Sequence, residues 1–253
     1  MSAIATRPLI AQFIAVGFAI TAVLGCGRKQ DVQPESFAGD WQLFEDRQFN
    51  IYVPPHSARG HRAMMSYGAA CNEILDQVVT YFDLDIVQPF SIYLFNTDQE
   101  CRDATGHPAG FVEGFNIYTR IGDQIGGAIA ISACHAIDPQ APSFTLIKDG
   151  IHTLFDRMDI NVHHEARQLL QESRLHGLAE LVAADSLADR EAHDIAAGSF
   201  TAFLLQRFGV DRFKMLWRSV LDLPQSLERI YGLPLPQLSD EWLIHLDREA
   251  KRT

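Results

Sequence analysis

The chain has 253 residues, 47% of them hydrophobic, and a formal net charge of −11 at pH 7. That length and apolar content suit one sizeable domain, or one domain with two lobes. No lysine- or arginine-rich run occurs anywhere in it, which argues against a nucleic-acid-binding surface, because phosphate contacts need clustered cations.

The only charged side chain before Cys26 is Arg7, and the 18 residues from Pro8 to Gly25 are uncharged. A basic start, an apolar run and small residues before a cleavage point make a secretory signal. The run ends in Val23-Leu24-Gly25-Cys26, which resembles the bacterial lipobox, although Val23 stands where that pattern usually has leucine. The resemblance implies removal of residues 1–25 and lipid modification of Cys26, so the membrane is a partner through that lipid. The alternative is an uncleaved membrane helix, since 18 residues just span a bilayer. Either way residues 27–253 lie outside the cytoplasm. Gly27 is not the Asp that resembles an inner-membrane retention signal, which favours the periplasmic face of the outer membrane. Export exposes the chain to oxidising conditions. Cys71, Cys101 and Cys134 then remain, an odd number. Cys71 with Cys101 is the pair to test, and three buried thiols are the alternative.

Residues 26–40 are polar, with proline and glycine, and read as a flexible tether. A sheet-containing lobe over 41–140 follows. FNIYV at 49–53 is a strand stopped by Pro54-Pro55. Residues 61–82 carry apolar groups at helical spacing. FSIYLF at 90–95 is a strand, and Asn96-Thr97-Asp98 offers an N-cap for a short helix through Cys101. FNIYT at 115–119 and GAIAIS at 127–132 are read as two more strands. From 141 to 253 the pattern is helical. Stripes run from Phe144 to Met158, from Leu175 to Val182, and from Phe200 to Phe208 with Gly209 as a stop. Shorter helices cover 211–221, 224–231 and 235–248. The expected fold class is α+β: a small mixed sheet with a long helix, then a helical lobe.

Three segments of that lobe resemble, in order and spacing, the exported peptidase-MA-like branch of the HExxH zinc metallopeptidases (gluzincins). Gly177-Leu178-Ala179-Glu180-Leu181 is similar to the G-x-A-E-Y part of its third-ligand helix. Gly198-Ser199-Phe200 through Phe208-Gly209 is similar to G-S-F-x-x-Y-L-x-x-x-Y-G. Tyr231-Gly232, Leu238 and Trp242 are similar to its closing segment. The resemblance covers about residues 140–246 and implies a zincin lobe with an active site between two helices. Zinc there is held by two histidines four apart and a third ligand, and a glutamate activates its water.

On this frame the functional positions have changed. Lys148 stands at the first ligand position, Asp149 at the water-activating position, and His176 at the third ligand; only His152 is kept. An ammonium does not ligate zinc, and a side chain one methylene shorter misplaces a water. The resemblance therefore implies a catalytically inactive scaffold without a metal cofactor, with Lys148 neutralising Asp149 or Glu180 in the old cavity. Its cleft would take a peptide or an envelope protein along the sheet edge. The alternative is a metal-dependent hydrolase with zinc on a remodelled set, His152, His176 and Glu180, the last two four apart on one helix face. The two helices, about 142–158 and 174–184, are expected to pack with His152 facing His176. His163-His164 after Asn161 reads as a solvated turn, and His135 as a backbone-satisfied side chain. His107, His193 and His245 show no ligand spacing. No G-x-S-x-G nucleophile motif occurs, and GDQIGG at 122–127 lacks the spacing of a phosphate loop.

Overall fold

The computed structural model describes residues 34–55, 57–140, 144–183 and 188–249. The expected signal peptide, Cys26 and most of the tether lie outside them. Among the described residues no helix is long and apolar enough to cross a membrane.

The tether ends earlier than expected. Pro34 leads into a one-turn helix, α1 (Glu35–Ala38), and Phe37 packs on Trp41, Tyr93 and Phe95 at 5.6–5.8 Å between ring centres. Two aromatic side chains here have a sheet face to cover, and that overrides the polar composition around them. Strands β1 (Gln42–Asp46) and β2 (Phe49–Val53) then form a hairpin. Phe49, Ile51 and Val53 are fully buried on one face, as the alternation requires. Helix α2 (Ala58–Phe82) starts at Ser57, whose hydroxyl accepts from Gly60 N. Strand β3 (Phe90–Phe95) runs parallel to β2. Thr97 caps α3 (Asp98–Thr105) by accepting from Glu100 N, as the Asn-Thr-Asp signal predicts. A three-residue strand, β4 (Phe111–Glu113), precedes β5 (Asn116–Arg120), to which it is antiparallel. The sheet is mixed, in the order β1-β2-β3-β5-β4.

GAIAIS is a helix, not a strand: α4 spans Gly126–Cys134 and is almost wholly buried. A short run that is apolar on every side has no period by which to tell strand from helix. The helical half follows as α5 (Thr145–Asp156), α6 (Val162–Gln171), α7 (Leu178–Ala183), α8 (Arg190–Phe208), α9 (Val210–Trp217), α10 (Leu223–Tyr231) and α11 (Leu235–Glu249). His163 and His164 are not in a turn. Asn161 caps α6 by accepting from both of their backbone N–H groups, and the His163 side chain is buried.

The two halves share one core. Phe82 of α2 packs on Phe155 of α5 at 5.7 Å and on Phe213 of α9 at 5.3 Å. Cys71, Cys101 and Cys134 are free, buried thiols, so Cys71 and Cys101 are not paired and the three-thiol alternative holds. Burial pushes the Cys71 thiol up to about 12 and raises Cys101 and Cys134 as well, so none is poised as a thiolate.

Candidate functional site

Helix α5 buries Leu146, Ile147, Gly150, Ile151 and Phe155. That leaves Asp149, His152 and Asp156, spaced by three and four, along a stripe that borders a cleft. Its main partner is α8 rather than the expected α7, and its second partner is α4. Glycines allow both approaches. A Cβ on Gly150 would lie 2.0 Å from Thr201 Oγ1 and 2.5 Å from the Ala197 carbonyl of α8. A Cβ on Gly127 of α4 would lie 2.5 Å from the His152 ring. Helix α7, which buries Leu178 and Leu181, packs against α11 instead.

The first turn of α8 supplies the other wall. Asp189 caps it by accepting from Ala192 N, and Arg174 holds Asp189 through Nε and Nη2 at 3.1 and 2.9 Å. Arg190, His193 and Asp194 then face α5. His193 is buried, and its Nε2 lies 2.9 Å from Asp149 Oδ2. Its Nδ1 is buried with no hydrogen-bond partner. An ionised carboxylate only accepts, so Nε2 is the donor in that contact. Arg190 spans two carboxylates, with Nη2 3.2 Å from Asp149 Oδ1 and Nε 2.8 Å from Asp194 Oδ1. Burial, with help from the Asp149 charge, holds the Asp194 carboxyl above its ordinary range in spite of Arg190.

On the sheet side the cleft is closed by Ala109, Gly110, Thr119, Asp123 and Gln124, giving a cavity of about 510 Å³. Asp156 accepts from Gly127 N at 2.7 Å and pairs with His152 Nδ1 at 2.8 Å.

The expected site residues are divided among three places. Asp149 and His152 line the cleft. His176 lies in the segment before α7, so it and Glu180 do not share a helix face as expected; they pair at 3.6 Å, with the Glu180 side chain 67% exposed, and Glu180 also accepts from Gly177 N. Lys148 is not among the cleft-lining residues. Its charge acts on His135, where burial is the main cause of a lowered pKa and Lys148 adds to it. The cation in the cleft beside Asp149 is that of Arg190. His152, His176 and Glu180 are not brought together as a group of three ligands among the described residues; Glu180 turns to solvent. Among the described residues, the one group of three with ligand atoms within 4.8 Å of one another is Asp149, His193 and Asp194. His193 and Asp194 lie N-terminal to the apolar stripe of Phe200–Phe208, in a part of α8 that the stripe does not mark. The Asp189 cap and the buried positions Ala192, Ile195, Ala196 and Ser199, at helical spacing, are the signals that extend it to 190.

No family model matches the chain, and no curated protein matches it significantly.

Proposed function

We propose that this protein is a lipid-anchored envelope protein on a peptidase-like scaffold that binds a peptide or protein segment in the cleft and does not cleave it. The observation that supports this most is Arg190. Where a metallopeptidase needs a metal ion between its helices, this cleft has a guanidinium from its own chain, bound to Asp149 and Asp194. A cation covalently attached to α8 pairs with both carboxylates without offering an open coordination position, and catalytic zinc requires one. Lys148 in place of the first ligand and the separation of His176 and Glu180 from His152 point the same way. A second reading, a metal-dependent hydrolase, would use Asp149, His193 and Asp194, whose ligand atoms lie within 4.8 Å of one another.

Metal analysis of the purified full chain distinguishes the two. The binding reading expects no stoichiometric zinc, no hydrolysis of a casein or peptide library, and the same melting temperature with and without EDTA. Bound metal that is lost in Asp149→Ala or His193→Ala, together with a lower melting temperature in EDTA, would replace it with the hydrolase reading. The anchor has its own test: Cys26→Ser should abolish palmitate labelling and leave unprocessed precursor. Normal processing of that variant would show an ordinary signal peptide.

A further inference from the structure

We propose that the acidic cleft and an apolar hollow beside it form one groove, which takes an extended peptide carrying a basic side chain next to a large apolar one. This rests on the peptide-binding reading and adds what the groove selects. The hollow has a volume of about 410 Å³ and is walled by Tyr67, Ala70 and Ile74 of α2, by Ile125 and by Phe155. Asp123, Gln124 and Asp156 line both cavities, so the two meet there. Tyr67 fixes that junction: its hydroxyl accepts from Gly122 N at 2.8 Å and donates to the Asp123 carbonyl at 3.1 Å.

The charge is one-sided. Asp123, Asp149, Asp156 and Asp194 line the cleft against the single guanidinium of Arg190. Asp123 is held by Arg120 at 2.9 Å and Asp156 by His152, which leaves Asp149 and Asp194 to share the one guanidinium of Arg190. The chain itself displays the chemistry that fits, because Arg190, 57% exposed, already spans Asp149 and Asp194 as a ligand's arginine would. An acidic or phosphorylated segment would set like charges against four carboxylates. An apolar side chain in the hollow removes its surface from water, and an adjacent basic group is then carried to the carboxylates.

The probes are fluorescein-labelled hexapeptides, Gly-Ser-Phe-Arg-Ser-Gly and Gly-Ser-Arg-Phe-Ser-Gly, with counterparts in which Arg is replaced by Glu or Phe by Ala. Affinity for the full chain in detergent is read by anisotropy. At least one of the two Phe/Arg peptides is expected to bind, and exchanging Arg for Glu should weaken it about tenfold, since two lost charge contacts at a partly solvated site are worth roughly that factor. Ala70 is exposed, so Ala70→Trp fills the hollow without disturbing the core. It should weaken the Phe peptides and leave the Ala counterparts unchanged. Asp149→Asn with Asp194→Asn should weaken only the Arg peptides. Binding that is indifferent to Arg, Glu and Ala70→Trp would overturn the groove while keeping a peptide-binding cleft. No binding by any of the hexapeptides would overturn both. Spermidine displacing the Phe/Arg peptide as well as it displaces the Ala/Arg peptide would reduce the site to a general cation trap and overturn the apolar half.

Discussion

Asp156 does two jobs with one carboxylate, capping the start of α4 through Gly127 N and holding the His152 ring. Burial alone would lower the His152 pKa, but the hydrogen bond and charge of Asp156, with Asp149 and Asp194 further off, outweigh it and raise the value above 6.5. The pairing therefore stabilises the fold fully below pH 6.5 and is lost as pH rises through the raised value. An NMR titration should place the His152 imidazole above 6.5, and Asp156→Asn should bring it down; an unchanged midpoint in the variant would remove Asp156 as the cause. His163 behaves oppositely. Its Nδ1 lies 3.0 Å from the Ser199 hydroxyl, which also accepts from Trp242 Nε1, and its Nε2 is buried without a partner. Burial first, and the neighbouring His245 second, depress it to about 4. The unfolded chain takes up a proton below 6.5 that the folded chain refuses until about 4. Stability should thus fall by up to about 3 kcal/mol between those two values, with no further loss from this group below them. Urea unfolding of His163→Gln against wild type from pH 7 to 4 checks this, and an equal slope in both would refute it.

At the level of elements, the crossing of α5 and α8 decides whether Asp149 meets His193 at all. The crossing is close because Gly150 faces Ala197 and Thr201, and Gly198 faces Thr153. Gly150→Val should destabilise the protein by about 1–3 kcal/mol through overpacking, despite valine's greater bulk of apolar surface. It should also push the helices apart and weaken Phe/Arg hexapeptide binding along with stability. Denaturant midpoints and anisotropy on the same samples separate the two effects. The opposite face of the sheet shows why α1 belongs to the domain. Register places Tyr52 beside Tyr93, Tyr93 beside Tyr118, and Phe111 beside Tyr118. Their rings stack across four strands at 4.7, 5.1 and 5.4 Å, and Phe37 and Trp41 cover the middle of that ladder.

For the whole molecule, the shared core predicts one cooperative unit rather than two lobes. Trp41 reports on the sheet end, and Trp217 and Trp242 on the helical end. Single-tryptophan variants should show coincident urea transitions, and separated midpoints would mean that the lobes unfold independently. Much of this was legible in the sequence. The alternating run at 49–53, the strand at 90–95, the stripe of α2, and the Thr97 and Gly209 boundaries were set by local rules: alternation, β-rich composition, 3.6-residue spacing, caps and stops. Asp149 and His152 were singled out too, through the resemblance to the HExxH helix. The sequence alone determined, then, a mixed sheet followed by helices and an apolar stripe on α5. Only the tertiary structure decided that GAIAIS is a helix, that α5 crosses α8 rather than α7, and that Arg190, not Lys148, is the cation at Asp149. Those outcomes depend on glycine-to-backbone approaches between segments some fifty residues apart, and on a guanidinium reaching two carboxylates of different helices. Neither leaves a periodic trace in either segment, because each is a property of the contact and not of the strand or helix that makes it.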